Sequence, residues 1–234
     1  MARYLLKLSG EALGGEAGFG IEPDVLERLV GQLGQLLALG AEVAVVLGGG
    51  NLFRGQKLAD SGMDRVVGDR MGMLATVMNG LAFGDFLSKA GIANKVFCSV
   101  AVAGIAAGYN RDDALQTMSQ GGVAILSGGT GNPFFTTDTA ACLRGAELAV
   151  DAVLKATNVD GIYSADPKVD PSATRFDEIT YDEILARKLK VMDLTAIILC
   201  QENNLPLVVF DMGQAGALVQ IANGGTVGTR VIAE

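Results

Sequence analysis

The apolar positions of this chain alternate between two spacings. Residues 3–8 and 42–47 are short apolar runs of strand length, and 23–39 carries Val25, Leu26, Leu29, Val30, Leu33, Leu36 and Leu37 at helical spacing. Pro23 near the start of that stretch and Gly40 just past its end fit helix initiation and termination. The same alternation predicts a helix over 69–89, a strand over 94–100, a helix over 111–119, a strand over 123–127, a helix over 137–148 and a strand over 149–155. After a proline-marked loop at 166–172 it predicts helices over 180–188 and 193–203, a strand over 206–210, a helix over 215–223 and a last strand over 226–232. Strands alternating with helices imply an α/β fold, with a mostly parallel sheet covered on both faces. The rhythm changes near Thr157, which suggests two lobes of one domain spanning 1–234.

Composition narrows the chemistry. Half of the 234 residues are apolar and 19% are charged, which is a globular composition with ample length for a core. A net charge of −8 with no long basic run argues against gripping a nucleic-acid backbone. A phosphate-bearing ligand would then need local cations and backbone N–H donors. There is no histidine, so Ser-His-Asp and Cys-His nucleophiles, His-ligated zinc and imidazole acid–base chemistry are excluded. Cys98, Cys142 and Cys200 are odd in number and widely spaced, the pattern of reduced core thiols in a cytoplasmic protein. Lys7 breaks any signal-peptide apolar core, and runs such as 43–47 fall far short of the roughly 20 residues of a membrane span.

Ligands of parallel sheets sit at the C-terminal ends of strands, and three glycine clusters fall there. They are Ser9-Gly10, Gly48-Gly49-Gly50-Asn51, and Gly128-Gly129-Thr130-Gly131-Asn132. In the second, glycine admits close approach of an anion and Arg54 offers a bidentate fork; a tight turn with a surface arginine is the plainer alternative. It is not a Walker A loop, since Gln56 stands where that lysine belongs. Lys7, between Leu6 and Leu8, is either a rim lysine or a cation reaching a ligand. Residues 129–138 combine backbone donors, three threonines, an asparagine, two phenylalanines and Asp138, a mixture suited to a nucleotide; Thr136 or Thr137 with Asp138 also fits a helix cap. Met71, Met73 and Met78 read as core or subunit interface, and Asp177, Glu178, Asp182 and Glu183 as a solvated face.

Five stretches together resemble the amino acid kinase superfamily and, within it, the bacterial uridylate kinases. They are Lys7-Leu-Ser-Gly-Glu-Ala-Leu13, Gly48-Gly-Gly-Asn-Leu-Phe-Arg-Gly55, Val67-Gly-Asp-Arg-Met-Gly-Met-Leu-Ala75, Gly129-Thr-Gly-Asn-Pro-Phe-Phe-Thr-Thr-Asp138 and Lys190-Val-Met-Asp193. The resemblance implies an αβα sandwich that transfers the γ-phosphate of ATP to UMP, with Mg²⁺ entering with ATP and no protein residue assigned as its direct ligand. By matched position, ATP would meet Lys7, Leu8, Ser9, Gly10, Gly50 and Arg54 at its phosphates and Thr157, Asn158, Tyr163 and Asp166 elsewhere. UMP would meet Gly49, Asp69, Thr130, Gly131, Asn132, Pro133, Phe134, Phe135, Thr136 and Thr137. Lys7, Arg54 and Asp138 would carry the chemistry. The UMP side would fall in 1–155 and the ATP side in 156–234. Gly15, Glu16, Ala17, Gly18, Phe19 and Gly20 match a segment associated with activation by GTP; the family is also inhibited by UTP and assembles as a homohexamer. Two alternatives stand beside this: a sister kinase acting on a carboxylate, carbamate or isoprenoid phosphate, and a non-catalytic nucleotide-binding regulator.

Overall fold

The computed structural model describes residues 1–53, 62–167 and 169–233. The elements run β1 (Arg3–Leu8), α1 (Gly10–Leu13), a 3₁₀ turn (Gly15–Ala17), α2 (Pro23–Ala38), β2 (Glu42–Leu47), α3 (Arg65–Lys89), β3 (Asn94–Cys98), β4 (Ala107–Gly108) and α4 (Arg111–Ser119). They continue with β5 (Val123–Ser127), α5 (Thr137–Glu147), β6 (Ala152–Thr157), β7 (Ile162–Tyr163), β8 (Arg175–Phe176), β9 (Glu178–Thr180) and α6 (Tyr181–Arg187). The last are α7 (Leu194–Glu202), β10 (Leu207–Asp211), α8 (Ala217–Ala222) and β11 (Thr229–Ile232).

Nine strands form one sheet in the order β4-β3-β5-β2-β1-β6-β10-β11-β9, and β7 pairs with β8 in a separate antiparallel ribbon. Within the large sheet the β10–β11 pair is antiparallel and the other neighbours are parallel. Alternate residues of each strand feed two cores. Tyr4, Leu6 and Leu8 pack with Leu26, Leu33 and Phe83 of α2 and α3, while Leu5 packs on the other face with Cys142 and Ile197 of α5 and α7. This parity puts helices on both faces of the sheet, the three-layer αβα architecture. It also points Lys7 at the α5 face.

Several elements differ from the sequence expectation. Helix α3 starts at Arg65, four residues before 69, because the Asp64 carboxylate caps it by accepting from Val67 N at 3.1 Å. Residues 149–151 turn instead of extending: Ala149 has φ 51° and Val150 N returns to Gly145 O. The acidic stretch at 177–183 contains strand β9, because buried Ile179 draws it alongside β11 while Asp177 and Glu178 stay exposed. Strands β4, β7 and β8 are two residues each, too short to give a period. Among the described residues, no helix is long and apolar enough to cross a membrane.

Candidate active site

The centre of the site is a pair of lysines on neighbouring strands. Lys7 of β1 and Lys155 of β6 are register partners and face the N-terminus of α5. Two ammoniums side by side in a sheet repel. Asp138, in the first turn of α5, separates them: its Oδ1 lies 2.7 Å from Lys7 Nζ and its Oδ2 2.7 Å from Lys155 Nζ. Lys155 also donates to Val191 O at 2.6 Å. All three side chains are largely buried. Burial alone pushes the Asp138 carboxyl up, but Lys7 and Lys155 outweigh it and hold the group below its ordinary value. Burial lowers the Lys155 ammonium, with the like charge of Lys7 adding to it and Asp138 opposing.

Helix α5 is anchored where Asp138 needs it. Thr136 caps it, its hydroxyl accepting from Asp138 N and Thr139 N. The hydroxyls of Thr136 and Thr139 both donate to Asp193, which itself caps α7 by accepting from Ala196 N. One carboxylate thus fastens two helix N-termini, where its charge is favourable to both. That is the local role of Lys190-Val-Met-Asp193.

The first two glycine turns are packed against each other. A Cβ on Gly10 would stand 2.6 Å from Gly50 N, and one on Gly48 2.6 Å from Gly10 N. Behind them Asn51 and Asn79 form a buried reciprocal amide pair, with Asn79 Nδ2 also donating to Gly48 O and Asn51 Nδ2 to Gly20 O. The segment 15–20 is therefore tied to the turn that ends β2, a link reinforced by Gly20 N donating to Asn51 O.

Two grooves and a cleft open around this centre. A groove of 1170 Å³ is lined by Lys7, Leu8, Ser9, Gly15, Glu16, Ala17, Lys155, Thr157 and Asn158, among others. A second, of 710 Å³, shares Lys155 and Thr157 and adds Tyr163, Asp166 and Lys190. Tyr163 lies on the β7–β8 ribbon, where its hydroxyl donates to Asp160. On the other side a cleft is lined by Gly49, Gly50, Asp69, Thr130, Asn132, Phe135, Thr136 and Thr137. Gly131, Pro133 and Phe134 belong to the same loop but not to that lining. Asp69 bridges the cleft walls: its Oδ1 meets Arg65 Nε at 2.8 Å and its Oδ2 accepts from Phe134 N at 2.7 Å. The expectation for Arg54 lies outside the described residues.

Sequence reasoning gave no role to Lys155 or Asn79, and carried Asn51 and Asp193 only inside a glycine turn and a matched stretch. Lys155 did carry a signal of its own, since it interrupts Leu154 and Ala156 as Lys7 interrupts Leu6 and Leu8.

Comparison with known proteins places this geometry. Residues 2–211 match the amino acid kinase family. The uridylate kinase of Marinobacter nauticus is 56% identical over 229 residues, covering 98% of this chain and 95% of its own. That of Pseudomonas aeruginosa PAO1 is also 56% identical, covering 98% and 94%. A crystal structure of UMP kinase from Bacillus anthracis superposes with TM-score 0.96 at 35% identity, over 99% of this chain and 96% of its own. UMP kinase from Ureaplasma parvum gives 0.92 at 34% identity, over 99% and 98%.

Proposed function

The chain belongs to the amino acid kinase family, and from that premise we propose that it is a uridylate kinase, moving the γ-phosphate of ATP onto UMP to give ADP and UDP. The observation that carries this reading is the Lys7–Asp138–Lys155 set, standing between the grooves that share Lys155 and the cleft lined by Asp69 and loop 130–137. ATP lies on the groove side, its phosphates toward Lys7, Leu8, Ser9 and Gly10, with Gly50 at the border with the cleft, and its nucleoside toward Thr157, Asn158, Tyr163 and Asp166; the phosphate role expected of Arg54 falls outside the described residues. UMP occupies the cleft, with Gly49, Asp69 and loop 130–137 around it. The UMP side thus belongs to 1–155, while the ATP side draws its phosphate contacts from 1–155 and its nucleoside contacts from 156–234.

The transfer is an in-line displacement. The acceptor oxygen of a phosphate monoester is already anionic near neutral pH, so no general base is needed, in keeping with a chain that has no histidine. The chain's work is positioning and charge stabilisation. Lys7 and Lys155 stand with their ammoniums fixed by Asp138 and need little rearrangement to meet a transferring phosphoryl group. Mg²⁺ enters with ATP and supplies charge neutralisation on its phosphates. Both Asp138 oxygens are engaged by lysines, which suits Asp138 to orienting cations more than to ligating the metal.

Self-association as a homohexamer belongs to the same proposal. Its support is an exposed apolar stripe on α3, Val67, Met71, Leu74, Met78 and Leu81, at the alternating spacing of a helix–helix seam. Activation by GTP through 15–20, inhibition by UTP and a cytoplasmic location complete it; the Asn51–Gly20 contact gives that segment a physical route to the phosphate turn.

A coupled assay of ADP release with MgATP and UMP, CMP or carbamate tests the reading. Strong turnover with UMP alone is expected. A protein that binds UMP but does not turn it over, with or without GTP, would instead be a nucleotide-binding regulator.

A further inference from the structure

The loop after β5 rests on a chain of polar contacts that lies outside the cleft it shapes. Ser99 Oγ donates to Gly129 O at 2.6 Å and accepts from Arg144 Nη2 at 3.2 Å. Arg144 Nη1 is 2.6 Å from Glu147 Oε2, and the guanidinium carbon stands 3.8 Å from the centroid of the Tyr109 ring. Arg144 is 8% exposed, a heavily desolvated cation in the body of α5. A charge buried that deeply needs full compensation, and Glu147, Tyr109 and Ser99 provide it. None of Ser99, Tyr109 and Arg144 lines the cleft.

The loop needs such support. Gly128, Gly129 and Gly131 all have positive φ, and a Cβ on Gly131 would stand 3.2 Å from Ser99 Cβ, so the serine sits close beneath the turn. From the α3 side, Gly128 N donates to Thr76 Oγ1 at 2.7 Å. A trans peptide directs its C=O and the following N–H to opposite sides. With Gly129 O held toward Ser99, the N–H of Thr130 points the other way, and Thr130 lines the cleft. The cleft is 170 Å³, below the about 300–1,000 Å³ of ligand pockets, so small changes in loop height decide how an acceptor is admitted.

We propose that Arg144 is a positioning residue for the acceptor side of the site, acting through Ser99 to fix the Gly129 carbonyl and, with it, the donors of loop 130–137. The inference rests on the reading of this cleft as the UMP site. It predicts an asymmetric defect, because the brace touches neither groove of the ATP side.

The test uses the full-length chain carrying Ser99→Ala, Ser99→Thr or Arg144→Lys. Steady-state kinetics are measured with each substrate varied in turn, and amide hydrogen exchange is measured on the free proteins. Ser99→Ala is expected to raise KM for UMP about 3- to 10-fold and leave KM for ATP within about twofold, the scale of one hydrogen bond. Exchange across 129–136 should quicken in the same variant, with exchange at 48–53 unchanged, and Ser99→Thr, which keeps the hydroxyl, should restore both. Arg144→Lys keeps the charge but loses the fork and the ring contact, and should behave like Ser99→Ala. If it fails to fold, Ser99→Ala alone decides. Wild-type KM for UMP and wild-type exchange at 129–136 in Ser99→Ala would overturn the proposal, as would equal rises in both KM values. If the unmutated chain does not turn over UMP, the kinase reading fails and exchange alone judges the brace: faster exchange in Ser99→Ala sustains it, unchanged exchange refutes it.

Discussion

Neighbouring strands β2 and β5 both end in glycine, for opposite reasons. After β2 the glycines are there for space: a Cβ on Gly48 would meet Gly10 N at 2.6 Å, and one on Gly49 would meet Gly72 O at 2.9 Å. After β5 conformation is demanded at all three, since Gly128, Gly129 and Gly131 have positive φ; Gly128 is crowded as well, by Cys98 Sγ at 2.7 Å, and Gly129 shows the conformational demand alone. Gly129 has φ 59° and nothing within 4 Å of a hypothetical Cβ. The β2 turn is jammed against β1, whose Lys7 is locked into the buried lysine–aspartate set. The β5 turn is hung on single hydrogen bonds, Gly128 N donating to Thr76, Ser99 donating to Gly129 O and Phe134 N donating to Asp69. One rim of the sheet is thus fixed by volume and charge, and the other is adjustable. Damage to the first should abolish turnover or the fold, whereas damage to the second should retune acceptor binding.

The largest effect should follow from Lys7→Ala. Asp138 keeps Lys155 as a partner, so the variant should still unfold cooperatively, but the cation proposed to stand at the transfer point is gone. Turnover in the coupled assay is expected to fall about 100-fold or more. Near-normal turnover in a folded Lys7→Ala protein would remove the first rim from the chemistry and break the contrast. Next comes Gly48→Ala. Its obstacle is a backbone atom, Gly10 N, which cannot swing aside as a side-chain tip can. Urea denaturation should show a loss of about 3 kcal/mol. A loss below about 1 kcal/mol would mean that the two turns are less tightly fitted than their geometry says.

The two rims were unequally legible in the chain. Bounds for β1, β2, α4 and β5 follow directly from apolar runs with sharp polar or glycine edges, and each coincides with the observed element. Lys7 drew notice because a lysine between two leucines contradicts a buried strand. Lys155 shows the same anomaly, but its meaning depends on the β1–β6 register, which sets it beside Lys7, and register between strands about 150 residues apart leaves no local trace. Asp193 and Arg144 are hidden for the same reason. Each looks like an ordinary helix-associated charge until the fold brings Thr136 and Thr139 to the one and Ser99 to the other. Spacing within an element can be seen along a sequence; a partner supplied by another layer cannot.

Acid should weaken the charged rim. The folded Asp138 carboxyl titrates below its ordinary value of 3.8, against the opposing effect of burial, because Lys7 and Lys155 favour the anion. Its stabilising contribution is therefore complete above about pH 3.8 and is lost as pH falls through the depressed folded value. Lys155 adds a dependence of the same sign at higher pH. Its folded value lies below the ordinary 10.5, so its charged state is a cost present at neutral pH and relieved only as pH rises through the folded value. Unfolding free energies measured from about pH 5 downward for the wild type and Asp138→Asn should converge as the carboxylate is protonated. Profiles that stay parallel through that window would mean that Asp138 does not carry the acid sensitivity.

The smallest effect, and the finest test of the contrast, is Gly129→Ala. The space is open, so no packing term opposes the methyl group. The left-handed conformation costs an L-residue about 1–2 kcal/mol, and the stiffer unfolded chain returns about 0.4–1 kcal/mol of it. The net loss should be about 1 kcal/mol, a third of that expected at Gly48, with KM for UMP rising and KM for ATP steady. Gly129→Asn should recover part of that loss, because asparagine tolerates this conformation better than alanine. At Gly48 the same replacement should do further harm, since a longer side chain meets the same backbone atom. If asparagine and alanine rank identically at both turns, the difference between space and conformation is not what separates the two rims.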